Sequence, residues 1–439
     1  MTDRSLLSPE RDDPLAVGVA TRLDAGLDRR RFVARAASTV AGLVGASVAV
    51  RSSAQGAGDL APPRALGAPL GGDGARSAHV DLKRICGGGP GESERACDIF
   101  SNNSKTPLQS LFGTVTPSDL HFERSHSGTP FLDPKLHRLL VHGLSSKPTV
   151  FTMDDLYRMP SVTRMAFIEC AGNGWDNWKE AKPELTVQDT HGLISTSEWT
   201  GVPLTFILDQ VGAPKDATWM LAEGADGAGV DRSIPLNTAV LRDGMLAYAQ
   251  NGEPLRPTNG YPLRLLLPGF EGNMNIKWLR RLKFGTEPFM TRWETAKYTD
   301  LMPDGTARKF TLVQGPGSVI TSPSGSMQLS RGFVEIRGLA WSGYGRVKRV
   351  DVSLNGGNRW REARVIGDAL PQAQCRFVLP WEWTGQQASL QSRCIDEHGH
   401  RQPTREQLVS AEGTNAIYHY NAIQTWRVDA NGKVTNALA

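Results

Sequence analysis

The chain has 439 residues, 39% of them hydrophobic and 21% charged, a composition that suits about two globular domains and neither a disordered nor a membrane protein. Its formal net charge of +4 comes from 49 basic and 45 acidic side chains, so no concentrated field favours nucleic acid or an anionic membrane as a partner. No apolar run reaches the roughly 18 residues of a membrane span, because serine and glycine interrupt the longest candidate at 36–50.

Residues 1–54 have the pattern of a secretory signal. Three arginines at 29–31 precede Phe32 and a weakly apolar stretch, and small residues at Ser52 and Ala54 suit a signal peptidase. Arginines followed by Phe resemble the twin-arginine export signal, and an ordinary amphipathic helix is the alternative. We expect a periplasmic protein that is exported folded, a route used mostly by proteins that acquire a cofactor in the cytoplasm.

The segment 55–104 predicts a linker or an extended segment. It is rich in Gly, Pro and Ala without periodicity, so it cannot bury enough apolar surface to order itself. Its glycine cluster GGGPGE at 87–92 lacks the Lys-Ser/Thr and the helix signal of a phosphate loop. Nucleotide binding is therefore not assigned to it.

Residues 105–300 mix short strands and helices without a regular βαβ cadence, which predicts an α+β domain. The patterns predict strands at 136–142, 162–168, 261–269 and 275–284, and helices at 152–159 and 204–212. After about residue 310, alternating segments separated by Gly, Asn and Pro turns predict an immunoglobulin-like β-sandwich over 301–439.

The five cysteines form no C-x-x-C or C-x-x-C-H pattern, so we expect no haem on this chain and no zinc or iron–sulfur site. Cys375 and Cys394 flank a turn at 383–386 at equal distances, which fits either a cross-strand pair in a hairpin or two free buried thiols. Cys86 and Cys97 could pair across the glycine cluster, which leaves Cys170 as the odd cysteine.

Cys170 lies in FIECAGNGWDNW, between an apolar strand and a glycine-rich loop. It could be a buried structural residue, a nucleophile or a metal ligand. No nearby residue supplies a base, and a thiolate without Cys or His partners must share its metal with ligands from a cofactor. The glycines remove side-chain bulk and let a large cofactor approach, so the sequence favours the third use.

These residues carry a resemblance. FIECAGNG, then HGLISTSEWTGVP at 191–203, then MLAYAQNGEPLRPTNGYPLRLLLPGFEGNMNIKWL at 245–279 resemble the molybdenum domain of the sulfite oxidase family. The β-sandwich resembles that family's dimerisation domain. The resemblance implies a molybdenum–molybdopterin cofactor in which Cys170 is the one protein ligand of the metal.

The same resemblance assigns further site residues. Arg124, in ERSHSGTP, would grip the substrate anion, and Tyr248, in LAYAQNG, would face the molybdenum. The remaining positions would contact the pterin and its phosphate, and they are His126, Asn259, Arg264 and Lys277.

The sequence also departs from sulfite oxidases. Gly174 and Trp175 stand where arginines are usual, and Tyr418 to Tyr420 occupy the place of a C-terminal arginine. Each lost charge-assisted contact costs roughly 1.5–3 kcal/mol, which disfavours free sulfite as the substrate. Trp175 could instead line a channel for the arm of a carrier protein.

ECAGNGW with TVQDTHGLISTSEWTGVPL is most similar to the sulfane dehydrogenase branch of bacterial sulfur-oxidising systems. That resemblance implies oxidation of a sulfane sulfur on a sulfur carrier protein, a separate c-type cytochrome subunit as electron acceptor, and a homodimer or a mixed tetramer. The alternatives are a plain sulfite:cytochrome c oxidoreductase, a sulfoxide-type reductase and a cofactor-free binding module. His398 and His400 lack a third metal ligand, so we expect them to be exposed to solvent.

Overall fold

The computed structural model describes residues 74–87, 102–178, 182–212 and 216–438. From Ser77 onward the chain forms one compact unit. The predicted signal peptide at 1–54 lies outside the described residues, as does most of the predicted linker. No helix of the described residues is long and apolar enough to cross a bilayer.

The first part of this unit mixes strands and short helices. Its described strands are β1 (Ile85–Cys86), β2 (Asn102–Lys105), β3 (Glu123–Ser125), β4 (Arg138–Gly143), β5 (Thr149–Thr152), β6 (Val162–Glu169), β7 (Ile194–Pro203), β8 (Trp219–Gly224), β9 (Asp231–Pro235), β10 (Met245–Gln250), β11 (Glu253–Pro254), β12 (Arg264–Leu266), β13 (Leu279–Gly285), β14 (Asp300–Leu301) and β15 (Ala307–Arg308). Its described α-helices are α1 (Met153–Tyr157), α2 (Val187–His191), α3 (Leu204–Gln210), α4 (Thr238–Asp243) and α5 (Arg292–Thr295).

An antiparallel sheet and a mixed sheet form the body of this part. The first has the order β11-β10-β7-β6 with β12 also on β10, and the second has the order β5-β4-β13-β8-β9. In the second, β13 runs parallel to β4 and antiparallel to β8. Capping boxes begin α1 at Thr152 and α2 at Thr186, where each threonine hydroxyl accepts from a backbone N–H three residues later.

The predicted elements are found with altered ends. The strands expected at 136–142 and 162–168 are β4 and β6, and the helix expected at 152–159 is α1. The strand expected at 261–269 shrinks to β12, because the N–H of Leu267 donates to Asn275 Oδ1 at 2.7 Å instead of to a neighbouring strand. The strand expected at 275–284 begins only at Leu279, after Trp278 with a φ of +52°.

The second part is a β-sandwich, so the predicted α+β fold followed by a β-sandwich is confirmed. Its described elements are β16 (Gly317–Ser322), β17 (Gly332–Trp341), β18 (Val347–Ser353), β19 (Trp360–Glu362), β20 (Arg364–Ile366), β21 (Cys375–Trp383), β22 (Ala388–Asp396), α6 (Arg405–Glu412), β23 (Thr425–Val428) and β24 (Val434–Ala437). The two sheets have the orders β16-β17-β21-β20 and β19-β18-β22-β23-β24.

The cysteine pairing is partly settled. Cys375 and Cys394 are free and buried, and the hairpin alternative is wrong because β21 and β22 belong to different sheets. The turn between them therefore crosses the sandwich, and burial raises the pKa of Cys375 to about 12. Cys86 is disulfide-bonded, whereas Cys97, its predicted partner, lies outside the described residues.

The sandwich core continues into the first part. Phe167 of β6 and Ile194 of β7 are buried in the same apolar cluster as Val319, Leu339 and Trp341. The indole N–H of Trp341 donates to Glu169, the residue before Cys170, at 2.8 Å. The sandwich thus directly supports β6, the strand that ends one residue before Cys170.

Candidate active site

Cys170 directly follows β6. It lies on the wall of a cavity that we call the inner cavity, which is also lined by Arg124, Arg264 and Lys277. Its N–H donates to Leu193 O at 2.9 Å, and its carbonyl accepts from Asn173 N at 2.9 Å, so the loop turns back at once. A Cβ added to Gly272 would lie 2.5 Å from Glu169 O and 3.1 Å from Cys170 Cα. Only glycine lets that second backbone segment pass so close to the cysteine.

The environment of the Cys170 sulfur has two opposing effects on its charge. Burial dominates and raises the pKa of the thiol above its usual value, and the N–H of Gly172 and the charge of Arg124 offset only part of that rise. A Cβ on Gly172 would lie 3.9 Å from Sγ, so the loop leaves one side of the sulfur open. Such a thiol binds a metal by losing its proton, and the nearby cation favours that loss.

Arg124, His126 and Tyr298 form a chain of hydrogen bonds beside Cys170. Arg124 Nη2 lies 3.1 Å from His126 Nδ1, and His126 Nε2 lies 2.8 Å from the Tyr298 hydroxyl. Burial, and then Arg124, lower the pKa of His126 to about 3, so the imidazole is neutral. Because a guanidinium can only donate, Nδ1 accepts and Nε2 carries the proton that it donates to the Tyr298 oxygen. The hydroxyl hydrogen of Tyr298 is thereby left to donate elsewhere.

Two desolvated cations line the far end of the inner cavity. Arg264 donates to Asn259 O at 2.8 Å and to Asn275 O at 3.0 Å, and Lys277 donates to Thr258 O at 2.9 Å. Burial lowers the pKa of Arg264 to about 9 and that of Lys277 to about 7. Neither forms an ion pair with a described residue. This end of the cavity therefore favours a bound anion.

Several buried polar atoms of the inner cavity lack a partner among the described residues. They are His121 Nε2, Arg264 Nε and Asn273 Oδ1. Burial lowers the pKa of His121 to about 3, so this ring is neutral. Unpaired donors and acceptors inside a protein are costly, and a polar ligand in the cavity would satisfy them.

The structure brings most of the predicted site residues together. The inner cavity is lined by six of the seven, namely Arg124, His126, Cys170, Asn259, Arg264 and Lys277. The Asn259 amide already donates to Ser118 O and to Gln250 Oε1, at 3.1 and 2.7 Å. Its visible contribution is the carbonyl that holds Arg264, and pterin binding by its side chain stays a prediction.

Tyr248 is the predicted residue that the structure does not place in the cavity. A bulge in β10 between Ala247 and Ala249 shifts the register against β7. The Tyr248 ring packs edge-on against Tyr157, with centroids 5.0 Å apart, and against the core of the second sheet. The prediction that Tyr248 faces the metal is therefore corrected.

Tyr298, and not Tyr248, lines the inner cavity, although no pattern in the sequence singled it out. Its ring lies 5.3 Å from the guanidinium carbon of the fully buried Arg232 and 5.3 Å from the ring of Tyr418. It stands in an irregular segment with a φ of +50°. Periodicity gives no signal for such a residue, and a non-glycine residue with this backbone conformation is often found at functional sites.

A second, larger space meets the inner cavity at Cys170, and we call it the outer cleft. Its volume is about 550 Å³, and it shares Arg124, His126, Cys170 and Tyr298 with the inner cavity. The rest of its wall includes the 59%-exposed Trp175, Tyr418 and three lysines at 105, 182 and 297. Arg264 and Lys277 line the inner cavity and not the cleft, so a molecule in the cleft can reach the cysteine without contacting these two cations.

Two positions where sulfite oxidases have arginines are occupied differently here, and the structure shows the contacts at each. Gly174 has a φ of +79°, and a Cβ there would lie 2.9 Å from the ring of Tyr420, so an arginine does not fit without a backbone shift. His419 is paired with the buried Glu271 at 3.1 Å. Although burial raises the pKa of Glu271, His419 and Arg232 hold it at about 2. This histidine therefore contacts a buried carboxylate and does not line the cleft.

Comparison with protein families gives two matches that divide the chain. Residues 126–293 match the oxidoreductase molybdopterin binding domain, and residues 313–426 match the Mo-co oxidoreductase dimerisation domain. The first match includes Cys170 and both cations of the inner cavity. The second corresponds to the β-sandwich.

Individual proteins are also similar. Mitochondrial sulfite oxidase of Mus musculus is 34% identical over 64% of this chain and 54% of its own length, so the chain spans about half of that relative. Sulfite oxidase of Gallus gallus is 30% identical over 69% of this chain and 71% of its own length. The crystal structure of the sulfane dehydrogenase SoxCD from Paracoccus pantotrophus is similar with a TM-score of 0.77 and 47% identity, covering 82% of this chain and 91% of that chain.

Proposed function

Because the chain belongs to the sulfite oxidase family, we propose that it is a molybdenum-dependent oxidoreductase that oxidises reduced sulfur. The single observation that carries this proposal is the position of the Cys170 thiol, at the junction of a basic inner cavity and a larger outer cleft. Among the described residues no group of three His, Cys, Asp or Glu side chains could hold a metal ion. The metal would therefore take one ligand from Cys170 and the others from a cofactor.

The residues of the inner cavity fit a molybdopterin. Arg264 and Lys277 would bind its phosphate, which would restore the charge that burial disfavours in these side chains. His121 Nε2, Arg264 Nε and Asn273 Oδ1 are free to bond the polar edge of a pterin. When bound, the cofactor supplies oxygen-atom transfer and accepts two electrons.

The chain's own contribution to the reaction is to hold and polarise the substrate. Arg124 would bind the negative charge of the sulfur group at the junction of cavity and cleft. The Tyr298 hydroxyl, whose oxygen accepts from His126, would donate its hydrogen to a substrate oxygen. For sulfite the balance is sulfite plus water giving sulfate, two protons and two electrons, and the electrons leave to an external acceptor.

We further propose that the physiological substrate is a sulfane sulfur held on the cysteine of a carrier protein. Each two-electron step would add one oxygen from water to that sulfur and release two protons. The similarity to a sulfane dehydrogenase and the volume of the outer cleft, about 550 Å³, support this substrate. Free sulfite is the second candidate, and the similarity to sulfite oxidases supports it.

The partners and the location are part of the same proposal. We infer a separate c-type cytochrome as the electron acceptor, and the similarity to the sulfane dehydrogenase SoxCD supports a partner subunit. The match to a dimerisation domain supports an oligomer, either a homodimer or a mixed tetramer. The pattern at 29–54 supports export to the periplasm by a twin-arginine signal.

The test is metal analysis followed by turnover. The full chain, made where molybdopterin is synthesised, should contain about one molybdenum per chain and should reduce cytochrome c with sulfite or with a carrier-bound persulfide. A higher kcat/KM for the carrier-bound persulfide would support a sulfane sulfur as the physiological substrate, and a higher kcat/KM for sulfite would support free sulfite. A folded protein without molybdenum would overturn the proposal in favour of a binding module.

A further inference from the structure

Lys297 lines the outer cleft directly before Tyr298. The backbone of this turn is fixed, since the Thr299 hydroxyl donates to Glu294 O and to Lys297 O, both at 3.1 Å. Tyr298 then adopts its left-handed conformation and turns its ring onto Arg232. As a result, Tyr298 packs inward while Lys297 stays exposed on the cleft wall.

The other two lysines of the cleft are neutralised by nearby carboxylates. Lys182 pairs with Asp176 at 3.0 Å, and the buried Lys105 lies 3.9 Å from Asp189 and donates to its carbonyl at 2.9 Å. Lys297 forms no ion pair and no side-chain hydrogen bond with a described residue. Its charge reaches the site, because it is one of the causes that lower the pKa of His126, after burial, Arg124 and Lys277.

The unpaired positive charge of the cleft therefore lies on Lys297, whereas the resemblance to sulfite oxidases would place such a charge on the Cys170 loop. The Cys170 loop has Gly174 and Trp175 in place of arginines, and the Tyr420 ring blocks a side chain at Gly174. Lys297 faces the same cleft from the segment after α5. An anionic substrate would thus find a second cation beside Arg124, contributed by a different segment.

We propose that Lys297 is a specificity-determining residue that binds the negative charge of the sulfur group, whether this is a free sulfur oxyanion or the terminal sulfur of a thiol-bound persulfide. The inference rests on the proposed function, since it places that substrate in the outer cleft. A flexible ammonium on an open wall suits a bulky carrier, because it can follow the charge as oxygen atoms are added.

The test compares Lys297→Met with two controls in the cofactor-loaded full chain. Lys297→Arg keeps the charge, and Lys135→Met removes an exposed lysine that lines neither the inner cavity nor the outer cleft. The substrates are sulfite and a carrier protein bearing a cysteine persulfide, with cytochrome c as acceptor. Sulfate binding by calorimetry adds a measurement that needs no turnover.

For Lys297→Met we expect kcat/KM to fall roughly 5- to 10-fold at low ionic strength, mainly through KM, and the deficit to shrink as salt screens the contact. The arginine variant and Lys135→Met should stay within about twofold of the unmodified chain. If kcat/KM falls with both sulfite and the carrier persulfide, Lys297 contacts the sulfur group that they share. If kcat/KM falls with only one of them, Lys297 contacts that substrate alone.

A Lys297→Met enzyme that matches Lys135→Met in kcat/KM at low salt would overturn the inference and leave the proposed function intact. If the unmodified chain oxidises neither substrate, the proposed function fails, and sulfate binding then decides the role of Lys297. Weaker sulfate binding by the same factor in Lys297→Met would support the anion site, and equal binding would reject it.

Discussion

Replacing Tyr298 by Phe removes the oxygen that accepts from His126 Nε2 at 2.8 Å and removes the hydroxyl hydrogen offered to the substrate. A buried donor left unpaired costs about 1–3 kcal/mol, and a lost transition-state hydrogen bond has a similar cost. Since about 1.4 kcal/mol is a tenfold change, we expect kcat to fall roughly 10- to 100-fold in Tyr298→Phe.

The matched control is Tyr248→Phe, the tyrosine that the sequence predicted to face the metal. Its ring packs on Tyr157 with no hydrogen bond to a described residue, so the variant should keep kcat within about twofold. Steady-state reduction of cytochrome c should be measured for both, at equal molybdenum content per chain. Equal activity in the two variants, or a loss confined to Tyr248→Phe, would refute the assignment of Tyr298.

Three further predictions concern the rest of the site. Cys170→Ser should abolish turnover and molybdenum retention while circular dichroism and Tm stay near those of the unmodified chain, and retained molybdenum would reject the ligand assignment. Gly174→Arg should lower Tm by several degrees and should not improve sulfite turnover, because its Cβ would meet the Tyr420 ring at 2.9 Å and its φ is +79°; an unchanged Tm in a melting assay would contradict the clash. In cofactor-free protein, burial lowers the pKa of Lys277 from 10.5 to about 7 in the folded state. Between these two pH values the unfolded chain binds more protons than the folded chain. The contribution of Lys277 to the free energy of unfolding should therefore rise with pH across this range. Urea unfolding of Lys277→Met should lack that rise, and parallel pH profiles of the two proteins would argue against a desolvated lysine.

The sequence alone identified the features that are encoded by residues close together in the chain. Alternation and turn residues predicted the β-sandwich, and Thr152 followed by acidic residues predicted the start of α1. The position of Cys170 at the end of β6, followed by glycines, indicated a cofactor site. These features depend on neighbours within a few residues, so local spacing is enough to encode them.

The tertiary structure decided which distant segments meet at that cysteine. Tyr298 and Lys297 belong to an irregular segment more than a hundred residues away, and no period marks it. The bulge in β10 turns Tyr248 toward Tyr157, and the crossing between sheets separates β21 from β22. Such outcomes depend on packing between elements and on left-handed backbone positions, which a linear pattern does not contain.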